Sequence, residues 1–378
     1  MRIIILGLLI FYSLKIVSGK DVNFRGQSSV WAAYSDAGST LQQYGIRYIP
    51  EFSTVHSLGD NTFFDGEVSV NAFHAGVFEK FEYLSSESKI KLYRLWLRYA
   101  ATQYEIRAGL QKINFGPAVI FRSLMWFDAI DPRDPLKITD GVYALLGRYY
   151  FLDNTNLWIW ALYGNTATKG WEFNITSKGT MEYGGRIQWP LFSGETAISY
   201  HHRTARLKTL AETLPYPIEE EAPENRIALD GRWDIEVGVW LEVALLKQEH
   251  TLLPLPWGRS FTVGLDYTFD WGNGLTILSE YFTLLRSEKI FSRGEGFRFS
   301  AFSATYPLDI IDQLHAILYY DWDNRDIYSF YNWQIRYDNW ALNLMAFNNP
   351  ETYQLYPNQP GNILFSGRGV QILVSFNH

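Results

Sequence analysis

The chain has 378 residues, no cysteine and a formal charge of −7. Without cysteine, disulfides and thiolate metal sites are excluded, and the negative balance argues against nucleic acid as a partner. Aromatic residues make up 17%, with 14 Trp and 25 Tyr. Such residues suit membrane–water interfaces, where an apolar ring and a polar tip are satisfied together. The soluble alternative is a β-sandwich or propeller with an aromatic core.

The first 19 residues read as a secretory leader: Arg2, the apolar stretch Ile3 to Leu14, then Val17-Ser18-Gly19 at the cleavage point. That stretch is too short to span a bilayer as a helix. No later segment has 18 consecutive apolar residues, so a membrane location requires strands.

Alternation of apolar and polar residues predicts strands near 24–34, 40–52, 64–77, 90–100, 103–114 and 142–151. Six more follow near 157–164, 180–190, 194–202, 225–234, 236–248 and 259–270. The last six lie near 274–286, 295–306, 314–322, 328–337, 340–348 and 367–377. Eighteen is the expected count, with 16 as the fallback, because the pairs at 225–248 and 314–337 are the weakest patterns.

The connections alternate in length. Even-to-odd joints such as Ala101-Thr102, Phe192-Ser193 and Asp338-Asn339 are tight turns. Odd-to-even joints are generally longer, at 115–141, 165–179, 203–224, 249–258, 287–294 and 349–366. Short turns on one rim and long loops on the other characterise outer-membrane barrels. The segment 53–63 breaks the phase, which implies a slipped register or a periplasmic excursion. Backbone groups cannot go unpaired in hydrocarbon, so the first strand must close onto the last. The expected fold is all-β: a single transmembrane antiparallel barrel over 20–378 with an inward-folded loop.

Parity assigns the faces. In 90–100, Tyr93, Leu95, Leu97 and Tyr99 oppose Arg94, Trp96 and Arg98. In 225–234, Ile227 and Leu229 oppose Arg226 and Asp230. An arginine at the lipid midplane costs about 2–4 kcal/mol, so steady polar parity marks a wet interior. Strands 274–286, 295–306 and 314–322 are mixed on both faces and yield no orientation.

The longest insertion, 115–141, carries Ile120, Phe121, Leu124, Met125, Trp126 and Phe127, too apolar for a solvated loop. Folded into the barrel, it narrows the pore. Arg47, Arg94, Arg98, Arg107, Arg148 and Arg186 point inward on this parity, with Asp128, Asp131 and Asp134 on the loop facing them. Arg122 and Arg133 lie on the same loop, and Glu236, Glu242, Asp266, Asp270 and Glu280 occupy later strands. One implication is a transverse field that orients dipolar solutes; the other is ion pairing that anchors the loop.

The run Arg107-x-Gly109-x-Gln111-x-Ile113-x-Phe115-Gly116, followed by the Asp-Pro-rich loop, resembles outer-membrane porin-like families of the alginate-export and phosphate- or carbohydrate-selective type. There a strand Gly-x-Gln-x-Ile-x-Trp-Gly leads into an inward loop; here Phe115 stands in place of the Trp. The resemblance covers about 35 residues, up to Arg148. It implies that Arg107 and Gln111 face the lumen and that the loop from Phe115 forms the constriction. The last strand, with Val370, Ile372, Val374 and Phe376 alternating, resembles the barrel-insertion signal, although Asn377-His378 follows the aromatic.

No Gly-x-Ser-x-Gly or His-Glu-x-x-His pattern occurs. Adjacent His201 and His202 point to opposite faces of a strand and chelate poorly. The expected function is a non-enzymatic porin in a Gram-negative cell outer membrane, passing small hydrophilic or charged solutes by passive diffusion. Its alternatives are a conduit for an anionic polymer such as an acidic polysaccharide, and a barrel enzyme or assembly partner with a plugged lumen. No cofactor and no metal is implied. The expected partners are outer-membrane lipid, lipopolysaccharide and small hydrophilic solutes. A homotrimer is compatible with the sequence, but no lipid-face stripe proves one.

Overall fold

A computed structural model describes residues 22–37, 39–207, 221–250, 253–351, 355 and 365–378. The leader expected over 1–19 lies outside them. The described chain forms one 18-stranded antiparallel sheet in which each strand pairs with the next in sequence and β1 pairs with β18. The ring is therefore closed.

The strands are β1 Asn23–Ser35, β2 Leu41–Gly59, β3 Thr62–Glu79, β4 Glu82–Ala100, β5 Tyr104–Gln111 and β6 Val142–Tyr150. They continue as β7 Asn156–Tyr163, β8 Met181–Leu191, β9 Gly194–Arg206, β10 Glu221–Asp234, β11 Gly238–Gln248 and β12 Trp257–Phe269. The last are β13 Leu275–Ser287, β14 Glu295–Pro307, β15 Asp312–Asp321, β16 Ile327–Tyr337, β17 Trp340–Asn348 and β18 Arg368–Asn377. All 18 expected strands are present.

Closure runs from Gln27 opposite Asn377 to Ser35 opposite Gly369. Gly26 and His378 extend it by exchanging backbone hydrogen bonds of 2.9 and 3.0 Å. The residues beyond the terminal aromatic are thus part of the seam. No backbone edge is left open along it, which hydrocarbon requires.

Two sequence expectations need correction. The segment 53–63 is neither a slipped register nor an excursion: β2 and β3 run on until Asp60-Asn61 turns the chain. A bulge at Ser69/Val70 also breaks the parity of β4 at Tyr93. Tyr93 lies beside Arg94 instead of opposite it, its ring centroid 3.9 Å from the guanidinium.

Elsewhere the two faces separate cleanly. Val30, Ile46, Ile106, Ile159, Ile227, Leu265, Val370 and Ile372 are exposed on the outer wall. Arg94, Arg186, Arg226 and Asp230 are buried on the inner one. The mixed strands β13 to β15 acquire an orientation from packing. Glu280, Phe282, Phe299, Ala301, Ile317 and Tyr319 are buried together against Ile120 and Phe121. Their inner face is aromatic because a loop covers it, so hydrophobicity alone shows no alternation.

Candidate pore interior

β5 ends at Gln111, whose side-chain amide donates to the carbonyls of Arg107 (3.1 Å) and Ala144 (2.9 Å). The chain then leaves the sheet until Val142. This connection hydrogen-bonds to β13, eight places round the 18-membered ring, so it spans the barrel's width.

Two carboxylates hold its tip. Glu242 on β11 accepts the backbone N–H groups of Ala118 and Leu124, both at 3.0 Å. Glu280 on β13 accepts those of Val119 (2.7 Å), Ile120 (3.1 Å) and Phe121 (2.6 Å), plus the Trp240 indole N–H (3.0 Å). Thr262 completes the clasp by donating to the Phe121 carbonyl at 2.7 Å. Each such hydrogen bond contributes on the order of 1 kcal/mol net. The geometry needs glycine at 116, where φ is +91° and a Cβ would sit 2.3 Å from the Glu242 carboxylate.

Apolar burial locks the same segment. Phe121 stacks on Phe282 at 5.0 Å and Phe299 at 5.5 Å. Phe115 stacks on Trp160 at 5.7 Å, and Phe127 packs edge-on against Trp160 at 5.4 Å. Fully burying one such ring stabilises by about 1.5–3 kcal/mol.

The loop's own charges mostly pair within it. Arg122 donates to Asp128 at 2.8 Å, and Arg133 to Asp131 at 2.7 and 2.5 Å. Asp134 accepts the N–H groups of Leu136 (2.9 Å) and Ile138 (3.1 Å). Burial raises the Asp134 carboxyl above the usual range, and the charge of Arg47 works against that shift. The expected facing of loop aspartates and wall arginines is therefore corrected for Asp128 and Asp131, which pair with Arg122 and Arg133 of the loop itself. Arg133 also lies over Phe330 (4.9 Å) and Phe365 (5.0 Å).

The wall arginines pair with wall acids and aromatic faces. Arg98 forks onto Asp65 at 2.9 Å through two nitrogens and reaches Glu105 at 3.0 Å. Arg148 takes the other Glu105 oxygen at 3.0 Å and lies 3.7 Å from the Trp158 ring. Arg107 covers Trp96 at 4.6 Å, and Arg47 sits 5.5 Å from both Trp31 and Phe73. Arg94 donates to the Thr139 carbonyl at 3.0 Å, tying β4 to the loop. Arg186 forks onto Asp230 at 2.5 and 2.7 Å. Arg47, Arg98, Arg107 and Arg148 are half-buried, whereas Glu242, Glu280 and Phe282 are fully covered. The loop thus packs from β6 and β7, past β9 and β10, to β11–β15, and the half-buried arginines of β2, β4, β5 and β6 face the remaining space.

The carboxylates expected to form one pole of a transverse field have other partners. Glu242 and Glu280 clasp the loop, and Asp266 accepts from Arg232 at 3.1 Å. Glu236 and Asp270 sit in or beside turns between strands.

A second polar cluster was not anticipated. Lys169 donates to Glu182 at 2.8 Å, and Glu182 lies 3.2 Å from His201. Arg203 pairs with Glu172 (3.0 Å) and Glu224 (2.7 Å), and Arg226 with the same two acids at 2.7 and 2.5 Å. This network pins the β7–β8 connection to β9 and β10. Its sequence signal was the inward parity of His201, Arg203, Glu224 and Arg226, obscured by uncertain strand limits near 203–224. Among the described residues no group of His, Asp and Glu could hold a metal ion.

This architecture has solved counterparts. The chain is similar to OmpF of Salmonella typhi in complex with daunomycin (TM-score 0.51, 10% identity, covering 96% of this chain and 99% of that one). It is also similar to OccAB4 of Acinetobacter baumannii (0.57, 8%, 95% and 98%). A third likeness is to OmpT, an outer membrane protein of Vibrio cholerae in its trimer form (0.53, 10%, 95% and 99%). The shared feature is the fold. No protein-family model and no curated protein matches the sequence. At these identities the counterparts speak to the barrel and not to the side chains inside it. The arginine wall and the Glu242/Glu280 clasp stand on this chain's own geometry.

Proposed function

We propose that the protein is an outer-membrane channel through which small hydrophilic or charged solutes diffuse passively. The observation that carries this reading is the loop from β5, clasped across the ring by Glu242 and Glu280 so that it covers one wall and leaves the other to solvent. A loop held in this way narrows a barrel without relying on a mobile segment. The solved counterparts support the reading, being outer-membrane porins. In this reading residues 1–19 are removed on export and the exposed apolar belt meets lipid.

Arg47, Arg94, Arg98, Arg107, Gln111, Arg148 and Arg186 then belong to the wall of the passage. Arg122, Asp128, Asp131, Arg133 and Asp134 belong to the loop that constricts it. Solute exchanges bulk water for arginine and aromatic contacts weak enough to release it. The stacked guanidiniums of Arg47 and Arg107 carry no carboxylate ion pair among the described residues. They favour anions along the passage. Conductance and reversal potential of the purified protein in a planar bilayer test this directly. Open-channel current with modest anion preference is expected, and a folded barrel with no conductance would overturn the proposal.

A further inference from the structure

The eight short turns divide the rim they share into two arcs. Five consecutive turns, from β6–β7 to β14–β15, carry a large apolar side chain at the tip. These are Leu152, Phe192, Ile235, Trp271 and Ile310, between 63% and 99% exposed. The other three are also consecutive once the β1–β18 seam is crossed. They turn on Asp338-Asn339, Asp60-Asn61 and Ala101-Thr102. The aromatic girdle of a barrel lies on its wall, and a turn beyond the last paired residues ordinarily meets water. Apolar tips on five neighbouring turns form a patch that calls for a cover.

Continuity with the outer wall says what the cover is. Beside Leu152, the rings of Tyr149 and Phe151 lie 4.7 Å apart. Beside Trp271, those of Tyr267 and Phe269 lie 4.8 Å apart, and Trp271 itself reaches Tyr306 on β14 at 6.2 Å. These rings join the tips to the exposed apolar residues of the wall, Ile159, Ile227 and Leu265 among them. On the other arc Tyr337 and Trp340 are exposed too, but the polar pair Asp338-Asn339 projects beyond them. Charge narrows the chemistry. The apolar turns, 151–155, 192–193, 235–237, 270–274 and 308–311, contain no Lys or Arg, whereas Asp153, Glu236, Asp270 and Asp309 are exposed there. Rings and aliphatic tips favour the boundary between headgroups and acyl chains. Carboxylates at that depth are attracted by ammonium headgroups and repelled by anionic ones.

We propose that the arc of short turns from β6–β7 to β14–β15 is a lipid-anchoring surface, its apolar tips seated among acyl chains and its carboxylates beside the ammonium groups of zwitterionic phospholipids. The boundary passes below the turns on this arc and above them on the other. The barrel therefore stands tilted, with its β6–β15 side deeper in the leaflet. That side is also the wall against which the loop from β5 packs. The proposal rests on the outer-membrane placement of the barrel and not on its passing solutes.

The chain has no cysteine, so single substitutions give unambiguous spin-label positions. Nitroxides at Phe192→Cys and Ile310→Cys report the apolar arc, and those at Asn61→Cys and Asn339→Cys the polar one. Leu229→Cys reports the exposed wall. Each variant, its fold checked by heat-modifiable gel mobility, is placed in nanodiscs of phosphatidylethanolamine and phosphatidylcholine, open to water on both sides. Collision with oxygen, which concentrates in lipid, is compared with collision with a neutral nickel chelate, which stays in water. Oxygen-to-nickel ratios several-fold higher at 192 and 310 than at 61 and 339 are expected. Equal ratios on the two arcs would overturn the anchor and hand the patch to a protein partner. Replacing phosphatidylethanolamine by phosphatidylglycerol should lower the ratio at 310, and Asp153→Asn with Asp309→Asn should abolish that difference. No difference between the two lipids before those substitutions would overturn the headgroup assignment. A water-like ratio at 229 would overturn the membrane placement and the anchor with it. Lipid-like ratios at 192 and 310 in a barrel without conductance would uphold the anchor and remove the channel.

Discussion

The Phe121 backbone N–H donates to the Glu280 carboxylate at 2.6 Å, joining residues 159 positions apart in the chain and seating a loop that leaves β5 against β13. Four N–H groups converge on that one side chain, three from the loop backbone and one from Trp240. Substitution Glu280→Leu keeps the volume and removes every acceptor. Each buried donor left unsatisfied costs about 1–3 kcal/mol, though the losses do not add fully. The expected outcome is a lower temperature for the heat-modifiable gel transition together with larger, noisier single-channel currents as the loop leaves the wall. Unchanged conductance would show that the loop does not set the bore.

The parts of this clasp differ in how far the sequence exposed them. The insertion was legible because a run from Ile120 to Phe127 is too apolar for solvent. Its seat was not, because Glu242 and Glu280 partner backbone N–H groups, which leave no complementary charge in the sequence to look for. The orientation of β13 to β15 was illegible for a related reason. Phe282, Phe299 and Tyr319 face inward against the loop, so apolar residues occupy both faces. By contrast β8 and β10 read correctly, since Arg186 and Asp230 alternate with exposed apolar residues such as Ile187, Ile227 and Leu229. The strand count survived the boundary errors because it rests on turns such as Ala101-Thr102, Phe192-Ser193 and Asp338-Asn339, and even the misread segment 53–63 separates the same two strands.

Arg47 and Arg107 stack on aromatic rings without a carboxylate ion pair among the described residues, so their charge is directed at whatever passes. Replacing both with Gln should move the reversal potential in a salt gradient toward cations while leaving the fold intact. The shift should shrink as ionic strength rises, because the Debye length falls from about 10 Å at 0.1 M to about 3 Å at 1 M. Reversal potentials matching the parent across that range would remove both residues from the passage.

Gly116 combines a positive φ of +91° with a carboxylate oxygen of Glu242 that a Cβ would meet at 2.3 Å. Gly116→Ala therefore strains the backbone and pushes against the clasp at once. Residues held in such conformations cost about 1–3 kcal/mol. Thermal unfolding followed by circular dichroism should show a lower midpoint. Gly147→Ala, with open space where the Cβ would go, should leave the midpoint unmoved. Equal midpoints for the two variants would show that Gly116 is not held by its positive φ and the clasp.

Arg186 on β8 and Asp230 on β10 form an enclosed ion pair, with side chains 4% and 2% exposed. Removing one partner leaves an uncompensated buried charge, which costs about 3–5 kcal/mol, while removing both together is far milder. A double-mutant cycle with Arg186→Met and Asp230→Asn should therefore show strong coupling, each single change lowering the unfolding midpoint more than the pair does. Asp230 also lies on β10, two strands from Arg186 on β8, with Ser199 of β9 between them accepting from Arg186 at 3.0 Å. The pair thus ties three strands below the loop. If the double variant were no more stable than the singles, water from the lumen would be solvating the orphaned charge.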